Sequence, residues 1–118
     1  MANTGKCLCG NVSLTVENVI GEALACHCQS CRRWASGAFM PFNAGESIAL
    51  DGIDSIKVYQ SSDHGERAFC SNCGSSIYFF YKPDSIYMVS TGLFEDTSSF
   101  SLTQQIFTEE KPSFYELS

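Results

Sequence analysis

Seven cysteines in three short clusters are the residues of this sequence whose type and spacing indicate chemistry. They are Cys7, Cys9, Cys26, Cys28, Cys31, Cys70 and Cys73. An odd count fits poorly with a disulfide framework, whereas closely spaced thiols in a reducing compartment more often bind metal or do redox chemistry. We therefore interpret the three clusters as metal ligands.

The spacing within each cluster lets its thiols face the same metal ion. The C-x-C pattern occurs at residues 7–9 and again at residues 26–28, and residues two apart in an extended strand face the same side. Residues 70–73 form a C-x-x-C knuckle, followed by Gly74. Glycine permits the backbone conformation that follows such a tight turn.

Zinc, which favours tetrahedral thiolate sites, divides the cysteines into a group of four and a group of three. The closed group would hold a structural zinc and would consist of Cys7, Cys9, Cys70 and Cys73. The open group would hold a catalytic zinc with its fourth position free, and would consist of Cys26, Cys28 and Cys31. The sequence thus predicts two zinc ions per chain, of which the three-ligand ion is the more easily lost.

Other assignments stay open on spacing alone. A single four-cysteine site could join the C-x-x-C knuckle to the middle cluster and leave Cys7 and Cys9 unused. His27 or His64 could supply a fourth ligand to the open site, although His27 should face away from the cysteines on either side of it in a strand. Iron–sulfur binding is disfavoured, because neither ferredoxin-type cysteine spacing occurs.

An open three-thiolate zinc would be a mild Lewis acid whose natural fourth ligand is a soft thiolate. Coordination would deprotonate an incoming thiol and hold its sulfur. Arg32 and Arg33 follow Cys31 directly, so we predict that one of them offsets the added charge or binds a substrate carboxylate. For Trp34 we favour a place in the core.

The elements that must position these residues are predicted to be mainly β-strands. Apolar and polar residues alternate along residues 12–16, and weaker alternation occurs near residues 24–28, 48–50 and 56–58. Residues 76–90 have the pattern of a hairpin whose turn contains Pro83. A last strand is predicted at residues 106–107, and at most one short helix at residues 31–35.

Length and charge limit the class of protein. The chain has 118 residues, which predicts a single domain over residues 1–118. A net charge of -6 argues against nucleic-acid binding, and no apolar run is long enough to span a membrane. The N-terminus has no apolar secretory segment, so we expect a cytoplasmic protein. Exposed strand edges would permit an oligomer, but the sequence does not predict one.

Four segments of the chain resemble one known family. The segments G-K-C-L-C-G-N-V-S, C-H-C-Q-S-C-R-R, R-A-F-C-S-N-C-G-S and T-G-L-F-E-D are similar in order and spacing to the glutathione-dependent formaldehyde-activating (GFA) family over residues 5–116. The resemblance implies the Mss4-like fold, in which antiparallel sheets are stapled by zinc. It also implies the same division into a structural and a catalytic zinc site.

The resemblance further implies a carbon–sulfur lyase of the S-(hydroxymethyl)glutathione synthase type. Such an enzyme joins glutathione, or a similar thiol, to formaldehyde or another small aldehyde, or catalyses the reverse reaction, with the substrate thiolate as fourth ligand of the open zinc. Two alternatives from other classes are a non-catalytic carrier of glutathione or its adducts, and an interaction module in which zinc serves only the fold.

Overall fold

The chain folds into two β-sheets, seen here in a computed structural model that describes residues 3–17 and 21–117. The strands are β1 Asn3–Lys6, β2 Ser13–Val16, β3 Glu22–Cys26, β4 Pro41–Asn43, β5 Ala49–Asp51, β6 Ile56–Ser62, β7 Gly65–Cys70, β8 Ser76–Tyr81, β9 Ile86–Ser90 and β10 Ser101–Ile106. The α-helix is α1 Gln29–Ala35, and the short 3-10 helices are Ile53–Ser55, Lys82–Asp84, Thr91–Leu93 and Thr108–Glu110.

The smaller sheet has the strand order β1-β2-β5, and the larger has the order β10-β3-β4-β9-β8-β7-β6. Strands β6 to β9 follow one another as an antiparallel meander. One pairing departs from the antiparallel pattern, because β10 lies parallel to β3 at the edge of the larger sheet. A parallel pair cannot be joined by a hairpin, and here the chain reaches β10 only after crossing the molecule from β9.

The main core lies between the two sheets. Leu14 and Val16 of the smaller sheet, with Val12 just before β2, form one buried cluster with Phe42 and Val89 of the larger sheet. The aromatic rings of Phe42 and Phe94 meet edge to face, with centroids 5.5 Å apart. Burial of such side chains is the main stabilising contribution to the fold.

Most elements predicted from the sequence are present. The alternating residues 12–16 contain β2, the hairpin at residues 76–90 is β8 and β9, and Pro83 lies in the 3-10 turn between them. The predicted helix begins two residues earlier than expected, at Gln29. The last strand ends at Ile106, because Phe107 adopts a left-handed conformation with φ 54°. In the described ranges, no helix has the length and apolar character needed to cross a bilayer.

Candidate metal centres

The four-cysteine cluster joins the two sheets. Cys7 and Cys9 lie in the turn between β1 and β2, whereas Cys70 ends β7 and Cys73 lies in the turn that leads to β8. Their Sγ atoms all lie within 4.8 Å of one another. The cluster therefore connects two segments of the chain that are more than sixty residues apart, as the spacing predicted.

Both turns have backbones that aim the thiols at one point. Gly74 donates its N–H to Cys70 O over 2.8 Å and has φ 81°, the conformation expected after a cysteine knuckle. The first pair differs from expectation, because Cys7 and Cys9 occupy a turn rather than a strand. Gly10 N donates to Cys7 O over 3.1 Å, and this turn brings the two Sγ atoms to 3.7 Å.

The donor set of this cluster fits a tetrahedral zinc ion. With Zn–S bonds of about 2.3 Å, tetrahedral geometry requires sulfur atoms about 3.8 Å apart. Cys9 Sγ lies 3.7 Å from Cys7 Sγ and 3.8 Å from Cys70 Sγ. Ser75 links the two turns, because its Oγ accepts from Leu8 N over 3.0 Å and lies 3.2 Å from Cys73 Sγ. The hydrogen bond from Ser75 lowers the pKa of Cys73 to about 5.

The three-cysteine cluster lies where β3 passes into α1. Cys26 is the last residue of β3, and Cys28 is the N-cap of the helix, where its Sγ accepts from Cys31 N over 3.3 Å. The three Sγ atoms again lie within 4.8 Å of one another. Cys26 and Cys31 are buried, whereas Cys28 is partly exposed. This cluster therefore has one side accessible from outside.

Arg67 of β7 is the cation next to this cluster. Its Nη1 donates to Cys31 Sγ over 3.6 Å, its Nε donates to Ser61 Oγ over 3.1 Å, and it is only 8 % exposed. The guanidinium lies 5.0 Å from the ring centroids of both Trp34 and Phe79. Buried between two rings, it presents its charge to the thiols in a surrounding of low polarity.

The electrostatics of the cluster favour a thiolate at Cys31. The hydrogen bond with Cys26 lowers the pKa of Cys31 to about 6, and Arg67 contributes in the same direction, although burial opposes the shift. The same hydrogen bond, together with burial, raises the pKa of Cys26. Thiolates are the form in which cysteines bind metal.

A cavity of about 690 Å³ opens over the three cysteines. All three belong to its lining, together with Arg67 and one face of the larger sheet. A second groove of about 460 Å³ adjoins the cavity, and Ser30, Ser61 and Arg67 line both. Arg33 and Lys57 line this groove.

The structure places the other predicted site residues in different surroundings. Arg33 is exposed and lines the groove, whereas Arg32 Nε donates to His27 O over 3.0 Å. A substrate-binding role for either arginine stays a prediction. Trp34 is half-buried and packs on Phe39 beside the cysteines, so it lies at the site rather than in the main core.

Neither histidine belongs to the described cysteine clusters. His27 is fully buried and faces away from the thiols, as predicted, with Tyr115 Oη 2.8 Å from its Nδ1 and Gln105 Oε1 2.9 Å from its Nε2. His64 is exposed in the turn before β7 and lines the cavity. Within the described residues, neither histidine has a ring nitrogen within 4.8 Å of all three Sγ atoms, so neither supplies a fourth ligand.

Sequence reasoning missed Arg67, although one sequence signal could have identified it. It begins the segment R-A-F-C-S-N-C-G-S, three residues before Cys70. Its strand is otherwise largely buried, with Ala68 and Cys70 both fully buried. A cation within such a strand requires a partner of opposite charge or a strong hydrogen-bond acceptor.

The fold and the two clusters define a class of protein, namely a β protein with one cysteine centre joining its sheets and a second opening into a cavity. The sequence profile described as "Glutathione-dependent formaldehyde-activating enzyme" matches residues 2–110. The chain belongs to this family, as the resemblance in its motifs predicted.

Individual relatives agree with this assignment. An uncharacterized lyase of Schizosaccharomyces pombe is 31 % identical over 113 residues, covering 95 % of this chain and 82 % of the relative. A Halomonas elongata protein provisionally named as a glutathione-dependent formaldehyde-activating enzyme is 25 % identical over 124 residues, covering 96 % of this chain and 79 % of the relative.

A solved structure supports the fold. The crystal structure of a Rhodobacter sphaeroides protein superimposes with a TM-score of 0.71 and 23 % identity, covering 86 % of this chain and 98 % of the other. The mainly β fold with antiparallel sheets is therefore confirmed, and the family membership supports an enzyme of the lyase class.

Proposed function

We propose that this protein is a zinc-dependent carbon–sulfur lyase that joins glutathione to formaldehyde or another small aldehyde, or catalyses the reverse reaction. In the forward direction the thiol sulfur bonds to the carbonyl carbon, the C=O π bond opens, and the thiol proton passes to the oxygen. No electrons are exchanged with a third reactant. The family and the names of the relatives support this reaction type.

The observation that carries the proposal is the position of the three-cysteine cluster at an accessible cavity beside a buried cation. Cys26, Cys28 and Cys31 would hold the catalytic zinc, which when bound would accept a substrate sulfur and favour its thiolate form. Closed sites of four ligands leave no such position. The other four cysteines would therefore hold a zinc that serves the fold.

Arg67 would stabilise the charge that a substrate thiolate adds to the site. Its guanidinium already donates to Cys31 Sγ and is held in place by Ser61 and the rings of Trp34 and Phe79. A cation fixed in advance stabilises developing negative charge without having to reorganise. In this proposal Arg67 positions the thiolates and takes no proton.

The groove beside Arg67 is the proposed place for a glutathione carboxylate. Arg33, Lys57 and Arg67 line it, and no Asp or Glu belongs to its described lining. Three of the seven Lys and Arg residues of an acidic chain thus face one groove. Arg guanidinium groups bind carboxylates through paired hydrogen bonds. Arg33 would bind the carboxylate rather than Arg32, because Arg32 Nε already donates a hydrogen bond to His27 O.

Exchange NMR would test the reaction directly. Glutathione and ¹³C-formaldehyde exchange with their S-hydroxymethyl adduct, and the exchange rate is measured with and without protein of measured zinc content. We expect the protein to accelerate exchange, and Cys28→Ser to abolish the acceleration while the protein stays folded. An unchanged rate in the presence of protein with two zinc ions per chain would contradict an enzymatic role.

A parallel binding measurement identifies the alternative functions. Calorimetry compares glutathione with S-methylglutathione, which keeps both carboxylates and lacks the thiol. Binding of glutathione in clear preference to its methylated form, without any acceleration, would identify a thiol carrier. Binding of neither compound would favour an interaction module.

A further inference from the structure

The cavity over the three cysteines is lined mainly by apolar side chains. Leu24, Phe79, Ile86, Met88, Ile106 and Phe107 all contribute to its walls. Apart from the cysteines and Tyr81, the ionisable residues in its described lining are Arg67 beside the thiols and the exposed His64 and Asp84. The walls thus offer little to charged groups, and glutathione carries two carboxylates and an ammonium.

The apolar walls follow from alternation in the larger sheet. Residues two apart on a strand share a face, and pairs such as Leu24 with Cys26, and Ile86 with Met88, line the cavity. The alternate residues of the same strand face the other way, because Val89 belongs to the main core and Tyr87 packs against it. Both faces of the sheet are therefore apolar, but only one is covered by the core.

The size of the cavity exceeds what formaldehyde needs. A volume of about 690 Å³ falls within the range of about 300–1,000 Å³ in which proteins bury drug-sized ligands. Formaldehyde brings one carbon atom to the sulfur and cannot fill such a space. An aldehyde with a longer apolar chain would cover the walls while its carbonyl carbon stays at the cysteines.

Phe107 adds a second observation at the same cavity. Its backbone has φ 54°, a left-handed conformation that is costly for an aromatic residue. The side chain is nevertheless 48 % exposed, although it contributes to the cavity lining. Strained conformations of this kind concentrate at ligand sites, where the surrounding structure imposes them.

We propose that the carbonyl substrate of this site is an aldehyde with an apolar alkyl or aryl group, which occupies the cavity while the peptide part of the thiol lies in the Arg33 groove. This inference rests on the proposed function, since it concerns the same reaction. The thiol S–H adds across the C=O bond, so that S–C and O–H bonds form. The product is an S-(1-hydroxyalkyl) adduct.

A series of stable adduct analogues tests the cavity independently of catalysis. S-methyl-, S-butyl- and S-hexylglutathione share the same peptide and differ only in the apolar chain. Calorimetry on protein of measured zinc content gives their affinities. Each fully buried CH₂ tightens binding by roughly fourfold, so we expect S-hexylglutathione to bind at least about tenfold more tightly than S-methylglutathione. Equal affinities, or binding of none of the three, would overturn the inference.

A matched pair of variants locates the effect. Met88→Gln keeps the length of a cavity side chain and makes it polar, so it should reduce the hexyl-to-methyl affinity ratio by about fourfold or more. Ile53→Gln changes an exposed residue elsewhere and should leave the ratio unchanged. Unfolding curves verify that both variants fold, and Ile86→Asn serves in place of Met88→Gln should the latter fail to fold. An unchanged ratio in a folded cavity variant would contradict the inference.

Kinetics then separates this inference from the proposed function. Acceleration of adduct exchange is measured for formaldehyde, butanal and hexanal, each relative to its uncatalysed rate. We expect the acceleration to rise along the series. Acceleration of formaldehyde alone would retain the lyase and overturn the inference. Chain-dependent affinity without acceleration of any aldehyde would support the cavity assignment and contradict the lyase.

Discussion

Arg67 is a buried cation whose orientation is fixed from several sides. Ser61 accepts from its Nε, Cys31 accepts from its Nη1, and two aromatic rings lie against its guanidinium. Lysine could not reproduce this arrangement, because its ammonium is a compact charge without a planar face. The residue is therefore suited to holding thiolates in place.

Removal of this charge should weaken thiol binding. Arg67→Met keeps an apolar chain between the rings but leaves the thiolates without a cation. A charge-assisted hydrogen bond contributes about 1.5–3 kcal/mol, so we expect glutathione affinity to fall at least about tenfold. Arg67→Lys should restore part of the loss. The measurement is calorimetry on variants with the same zinc content.

Two controls distinguish this effect from a change in stability. Lys6→Met removes an exposed cation from β1, remote in the sequence from the proposed site, and should leave the affinity unchanged. Affinity for S-methylglutathione should change less than affinity for glutathione, because the thioether brings no negative sulfur to Arg67. Equal losses for both ligands would indicate that Arg67 only supports the fold.

At the scale of elements, the C-terminal segment, residues 115–117, contacts the part of the chain that carries the three-cysteine cluster. Gln105 Nε2 donates to Leu117 O over 2.9 Å, which orients its Oε1 to accept from His27 Nε2. Nδ1 of His27 therefore accepts from the Tyr115 hydroxyl. Because His27 lies between two of the cysteines, this contact helps to fix the end of β3 and the start of α1.

Tyr115→Phe tests the contribution of this segment. The substitution removes the donor to a fully buried ring nitrogen, and an unsatisfied buried group costs about 1–3 kcal/mol. We expect the free energy of unfolding to fall by roughly that amount in urea denaturation. Tyr59→Phe removes a hydroxyl from a side chain that is 65 % exposed, so it should change stability by less than about 0.5 kcal/mol. Similar effects of the two substitutions would contradict this account.

At the scale of the whole molecule, the features that depend on neighbouring residues could be predicted from the sequence, whereas the pairing of distant segments could not. Alternation predicted β2, and Pro83 predicted the turn after β8, because both signals depend on neighbouring residues. The grouping of the cysteines as four and three was also predictable, since ligand number and spacing limit the combinations. That these groups hold zinc stays a prediction.

What the sequence did not predict depends on contacts between distant segments. The parallel pairing of β10 with β3 has no local signature, because it follows from how the chain crosses after β9. The position of Arg67 beside Cys31 joins residues that are 36 apart in the sequence. The cavity likewise requires all seven strands of the larger sheet to present residues to one space, which no single strand pattern reports.

The two cysteine centres should contribute differently to stability, because only one connects the sheets. Cys73→Ser removes a ligand from the four-cysteine centre, where metal binding would be coupled to folding. We expect it to lower the free energy of unfolding by at least about 3 kcal/mol, a large part of the roughly 5–15 kcal/mol typical of a domain. Cys28→Ser changes a helix N-cap to another good capping residue, so it should cost less than about 1 kcal/mol.

Urea unfolding of both variants, followed by Trp34 fluorescence and far-UV circular dichroism, measures this difference, and metal analysis counts the zinc ions retained. If the four-cysteine centre connects the two sheets, we expect the Cys28→Ser variant to keep one zinc ion and a cooperative unfolding transition. The Cys73→Ser variant should lose the cooperativity of unfolding. Equal destabilisation by the two substitutions would mean that both centres serve the fold. In that case the cavity would lie over a structural metal, and the proposed distinction between a closed and an open site would be wrong.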